Sequence, residues 1–127
     1  MENRDMTLNA LHTFWSSPMA FSWLASLNAD EVLDLRDEGA FDDIWMQHFS
    51  QLSRVSLSDD DVAAINLIRE QAFKQTFLIT ENADLASAVS DDFDLIAKSL
   101  LSGRQDQWPI QYLWHCYSTG IFPFKSL

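Results

Sequence analysis

Residues 57–80 read LSDDDVAAINLIREQAFKQTFLIT, and this stretch decides the fold class. It opens with Ser58 ahead of Asp59, Asp60 and Asp61. A Ser cap accepts from the free N–H groups of a first helical turn. Acids in that turn face the positive end of the helix dipole, each contributing about 0.3–1 kcal/mol. Beyond that start Asn66, Glu70 and Lys74 recur at every fourth position, a narrow polar stripe. Val62, Ile65, Ile68, Ala72, Phe73 and Ile79 are apolar. The pattern predicts a helix to about residue 80 that is the central helix of a bundle. Phe77-Leu78-Ile79 is a β-compatible run that would allow a short strand over 76–80; helix is the preferred reading.

Working toward the C-terminus, Asn82 and Ser90 each suit a cap, so 83–102 reads as one helix or as two short ones. Phe93, Ile96, Ala97, Leu100 and Leu101 mark its buried face, and Gly103 ends it. After the polar loop 104–107, Pro109 opens a last helix that turns Ile110, Leu113, Trp114 and Tyr117 inward and closes at Gly120. The tail Ile121-Phe122-Pro123-Phe124 is too apolar to stay in water and is expected to pack on the bundle.

Working toward the N-terminus, Phe41, Ile44, Trp45, Phe49 and Leu52 give an amphipathic helix over about 41–53. Asn28 and Glu31 are spaced as in a capping box. The helix they start runs through Val32, Leu33 and Leu35 and is expected to stop at Gly39, where positive φ is cheap. Ser17-Pro18 is a cap followed by a first-turn Pro. Met19, Phe21, Trp23, Leu24 and Leu27 then predict a helix apolar nearly all round and buried centrally. Met6, Leu8, Leu11, Phe14 and Trp15 predict a short helix over 6–15. The fold expected is all-α: one domain over 1–127, a bundle of about six to eight helices.

Composition agrees. The chain has 127 residues, of which 47% are hydrophobic and 13% aromatic, ample for a packed core. Three Gly and three Pro leave few breakers, and the single Cys116 cannot form an internal disulfide. No signal segment and no apolar run of membrane-spanning length is visible, so a cytoplasmic, membrane-free protein is expected. Nineteen acids face eight bases, a net charge of −11. Such a surface repels phosphate backbones and anionic membranes and draws basic partners.

The acids cluster. Asp30, Glu31, Asp34, Asp37, Glu38, Asp42 and Asp43 are relieved only by Arg36, and Asp30, Asp34, Asp37 and Glu38 share one helix face. Like charges at that spacing destabilise an isolated helix, a repulsion that Lys and Arg on a partner would relieve. Asp59, Asp60 and Asp61, and likewise Asp91, Asp92 and Asp94 behind Ser90, read first as helix starts that extend the acidic surface if the fold sets them side by side. Trp108, in a polar stretch, reads either as an interface anchor or as a staple folded back on the last helix. Asp42-Asp43 and Asp91-Asp92 are poor metal pairs, because adjacent carboxylates on a helix diverge by about 100°. His115 and Cys116 diverge likewise and make a poor nucleophile–base pair. No cofactor or metal is expected.

Trp- and Asp-rich, acidic, with one Cys and no signal, the chain resembles the small cytoplasmic immunity proteins that accompany bacterial toxins, including those of contact-dependent growth inhibition. The resemblance lies in whole-chain character and carries over no site residue. It implies one dedicated toxin domain as partner, tightly bound, and no catalysis by the chain itself. The residues themselves point to a basic protein partner met by Asp30, Glu31, Asp34, Asp37, Glu38, Asp42, Asp43, Asp59, Asp60, Asp91, Asp92 and Trp108. If that partner is a nuclease, carboxylates would occupy the places of phosphates. Two other readings stay open: a DNA-mimicking inhibitor of a nucleic-acid-binding protein, and an enzyme using carboxylates such as Asp42 or Asp91 with a metal.

Overall fold

The computed structural model describes residues 8–124, and among them the chain is helical with no strand. The elements are α1 (Leu8–Ser16), α2 (Pro18–Phe21), a 3-10 turn (Ser22–Ser26), α3 (Ala29–Glu38), α4 (Phe41–Leu52), α5 (Asp59–Thr80) and α6 (Ala83–Leu101). A π-helical turn (Pro109–Trp114) then runs into α7 (His115–Thr119). Met6, expected in the first helix, lies outside the described residues.

Local chemistry sets most of the helix starts. Ser58 Oγ accepts from Asp61 N–H at 3.1 Å while Asp61 Oδ2 accepts from Ser58 N–H, a reciprocal capping box. Asn28 caps α3 through Glu31 N–H, and Asn82 caps α6 through Leu85 N–H. The 76–80 segment completes α5 as helix, and its end is forced by Glu81, whose φ of 54° is left-handed. Gly120 closes α7 with φ of 83°. Gly39, by contrast, is extended at φ −115°, so α3 ends without the left-handed turn expected of it. Ser90 does not start a helix either. It sits mid-way along an uninterrupted α6, and its hydroxyl donates to the Arg69 carbonyl of α5.

Two expectations about burial are corrected. The central helix is α6, which buries twelve of its residues, from Leu85 through Leu100. α5 packs along it as its most extensive neighbour, and α1, α4 and the π turn cover its other sides. α5 itself buries Ile65, Ile68, Ala72 and Thr76 but leaves Val62, Phe73 and Phe77 partly in water. The segment after Pro18 is also peripheral. It tightens to a 3-10 turn after one α-helical turn, burying Phe21 and Leu24 while Met19 stands 92% exposed. The aromatic core joins Phe14, Trp15, Phe21, Phe93 and Tyr117 in edge-to-face and tilted pairs, such as Trp15–Phe93 at 5.0 Å. The tail packs as expected through Phe122, 4% exposed, although Ile121 points outward.

Glu81 is a non-glycine residue held left-handed, a conformation that opposes stability. Glu81→Gly is expected to raise the unfolding free energy by about 1 kcal/mol in urea denaturation, with the m-value unchanged.

Candidate acidic binding site

α3 has no fully buried residue and carries Asp30, Glu31, Asp34, Asp37 and Glu38, all exposed. Its lone cation holds it down. Arg36 reaches inward from α3 and donates from both terminal nitrogens to Asp92 of α6, at 2.8 Å each. Its guanidinium lies over the rings of Phe41 (4.3 Å) and Phe122 (5.2 Å). Asp92 also accepts from Trp45 Nε1–H of α4 at 2.9 Å and from Tyr117 Oη–H of α7 at 2.6 Å. A single carboxylate thus ties three helices to α6. Asp92 is 0% exposed, so it corrects the expectation of a surface acid: its place is structural, beneath the acidic face.

Burial opposes charge on Arg36, but Asp92 and Tyr117 outweigh it and hold the guanidinium firmly protonated. Burial, reinforced by the Asp92 charge, pushes the Tyr117 phenol well above its ordinary 10. The network has an electrostatic consequence. The base of α3 is neutralised internally, so α3 shows water its acids without an opposing cation of its own.

Above this network lies a cleft of about 410 Å³ between α3, α4 and α6. Its lining brings together Asp37, Asp42, Asp84 and Asp91, with Leu33, Arg36, Phe41 and Trp45 among its other walls. Asp37, Asp42 and Asp91 were expected from sequence; Asp84 was not, although its place in the first turn behind the Asn82 cap is the signal that marks it. Among the described residues, Asp37, Asp42 and Asp84 form no ion pair, whereas Asp91 meets Arg69 at 3.0 Å. Partial burial raises the Asp91 carboxyl above the usual range against the pull of Arg69, and the charges of Asp92 and Asp94 add to the rise.

The remaining predicted residues are dispersed. Glu31, Asp34, Glu38 and Asp43 are exposed on α3 and α4 near the cleft in sequence. Asp30 lines a separate recess with Asn28 and Asn82. Asp59 and Asp60 stand exposed at the start of α5, where Leu57 and Val62 border a different hollow. Asp94 is buried and pairs with Lys98 at 3.0 Å. Trp108 folds back: it packs against Phe41 (5.4 Å) and stacks on His48 (5.5 Å) and Tyr112 (5.6 Å), the staple geometry. Burial, helped by the Arg104 charge, lowers the pKa of His48. Cys116 is buried while His115 is exposed, so the two do not converge. Among the described residues no group of three or more His, Cys, Asp or Glu is placed to hold a metal ion, and no helix is long and apolar enough to cross a membrane.

Comparison with known families finds that the family model described as Immunity protein PIM1 matches residues 11–124. That span runs from the first core residue of α1 to the tail and includes every residue of the cleft. No curated protein matches the chain.

Asp92→Ala strands the Arg36 charge in the interior and is expected to cost about 3–5 kcal/mol of stability, measured by denaturant unfolding. The Tyr117 proton gives a pH signature. Its folded pKa lies above the unfolded value of 10, so its contribution is complete below about pH 10 and falls as pH rises beyond it. Above pH 10 stability should decline about 1.4 kcal/mol per pH unit more steeply in the native chain than in Tyr117→Phe.

Proposed function

The chain belongs to the Immunity protein PIM1 family, and on that premise we propose that it neutralises a basic cognate toxin domain through the preformed acidic face of α3, α4 and the start of α6. The observation that carries the reading is the convergence of Asp37, Asp42, Asp84 and Asp91 on one cleft, over a cation already bound to Asp92. A Lys or Arg of the toxin enters this cleft, where the carboxylates accept its N–H groups and the Trp45 and Phe41 edges shield the pair from water. The outer acids Asp30, Glu31, Asp34, Glu38 and Asp43 form the rim and steer the encounter. Asp59 and Asp60 add long-range negative potential rather than contact.

Inhibition on this reading is occlusion. The chain acts in the cytoplasm, makes and breaks no covalent bond, and needs no cofactor. If the toxin is a nuclease, its substrate-binding cations are the groups most complementary to the cleft, and filling them with carboxylates excludes the phosphates they hold. Trp108, partly buried, takes a structural role on this reading, packing α4 against the last helical segment.

Asp37→Lys with Asp42→Lys is expected to leave far-UV circular dichroism unchanged and to slow association with the toxin by about 10–100-fold at low salt, read by stopped-flow or surface-plasmon kinetics. The deficit should shrink as ionic strength rises. Equal on-rates for both chains at all salt concentrations would remove the cleft from the mechanism. Tight binding to several unrelated DNA-binding proteins would point instead to mimicry of nucleic acid.

A further inference from the structure

A second surface of the chain has the opposite character. On the outward side of α5, Leu67 (51%), Phe77 (43%) and Leu78 (70%) are exposed, and Phe73 (36%), at the edge of that side, stacks its ring parallel to Phe77 at 6.3 Å. With 3.6 residues per turn Leu67, Phe77 and Leu78 lie away from the buried row Ile65, Ile68, Ala72 and Thr76, flanking Glu70 and Lys74. Glu70 and Lys74 pair with each other at 2.6 Å. In a chain of net charge −11, most faces repel a second copy. This face pairs its acid with a base and presents an apolar rim.

We propose that the outer face of α5 is a homodimer surface, on which the α5 of a second copy packs antiparallel about a two-fold axis at the height of residue 72. A two-fold contact must be self-complementary, and this helix is. The axis sets Glu70 beside Lys74 of the second copy, and Lys74 beside its Glu70. It also sets Leu67 against Phe77 of the second copy on both sides of the centre. Parallel pairing would instead place Glu70 level with Glu70 and Lys74 level with Lys74, like on like. From Leu67 to Leu78 the face runs about 17 Å along the helix, about three turns of ridges-into-grooves packing. The cleft acids belong to α3, α4 and α6, so a dimer built on α5 carries two acidic clefts, one per copy.

The test is sedimentation equilibrium of the full chain over a micromolar concentration series, with circular dichroism on every variant. The native chain is expected to reach the dimer mass, and Leu67→Glu with Phe77→Glu to remain monomeric at unchanged helicity. Glu70→Lys alone is expected to weaken the dimer about tenfold, and Glu70→Lys with Lys74→Glu, which restores the net charge, to recover it. A native chain that stays monomeric throughout overturns the proposal. So does a dimer that survives Leu67→Glu with Phe77→Glu, or a double charge swap no tighter than Glu70→Lys. None of these outcomes bears on toxin binding, because no residue altered lines the cleft.

Discussion

The bidentate pair between Arg36 and Asp92 is the interaction on which the other features rest. α3 is a poor helix by itself: its acids repel one another, and it has no fully buried side chain with which to hold on to a core. Placing its single base in the interior addresses both problems. The guanidinium anchors the helix, and the carboxylate that receives it also takes hydrogen bonds from Trp45 and Tyr117. A buried pair of this kind adds little net stability compared with apolar packing, but losing either partner is costly, so the geometry is enforced. Phe41 and Phe122 both set their rings against the cation and bring the start of α4 and the apolar tail into the same arrangement.

From that constraint the surface follows. Because Asp92 cancels Arg36 inside the bundle, the outer aspect of α3 keeps its negative charge, and the helix is fixed at the height where Asp37 meets Asp42 of α4 with Asp84 and Asp91 of α6. Preorganisation matters for binding: a partner cation does not have to gather the carboxylates, so less of the interaction is spent on ordering. The neutral, apolar outer face of α5 gives the molecule two surfaces with different chemistry. The first is the surface proposed to meet a basic toxin, and the second is the proposed contact with another copy of the chain.

What was legible in the sequence was local. Caps and first-turn acids at Ser58, Asn28 and Asn82 act within three residues of themselves, and the elements they start are where the pattern placed them. Periodicity shows which side of a helix is apolar, but not how many neighbours will cover it. α5 therefore read as central although α6 holds that place, and the segment after Pro18 read as buried although Met19 is in water. Asp92 is the residue whose place the sequence marks least. Between Asp91 and Asp94 and two positions after Ser90 it has the look of a helix-start acid, and its true partner lies 56 residues away. The clue was the isolation of Arg36 in an acidic run, since a lone base among repelling acids has reason to find a carboxylate elsewhere. Asp84 is marked in sequence only as a first-turn acid behind Asn82; that it joins the cleft depends on where α6 begins relative to α3, a tertiary fact.

Residue-resolved carboxyl labelling reads where the toxin sits on the chain. The free chain and its complex with the cognate toxin would be amidated with a carbodiimide and read by mass spectrometry. Asp37, Asp42, Asp84 and Asp91 are expected to label in the free chain and to be protected in the complex, Asp59 and Asp60 to label in both, and Asp92 in neither. Equal labelling of the four cleft acids with and without the toxin would contradict docking at the cleft.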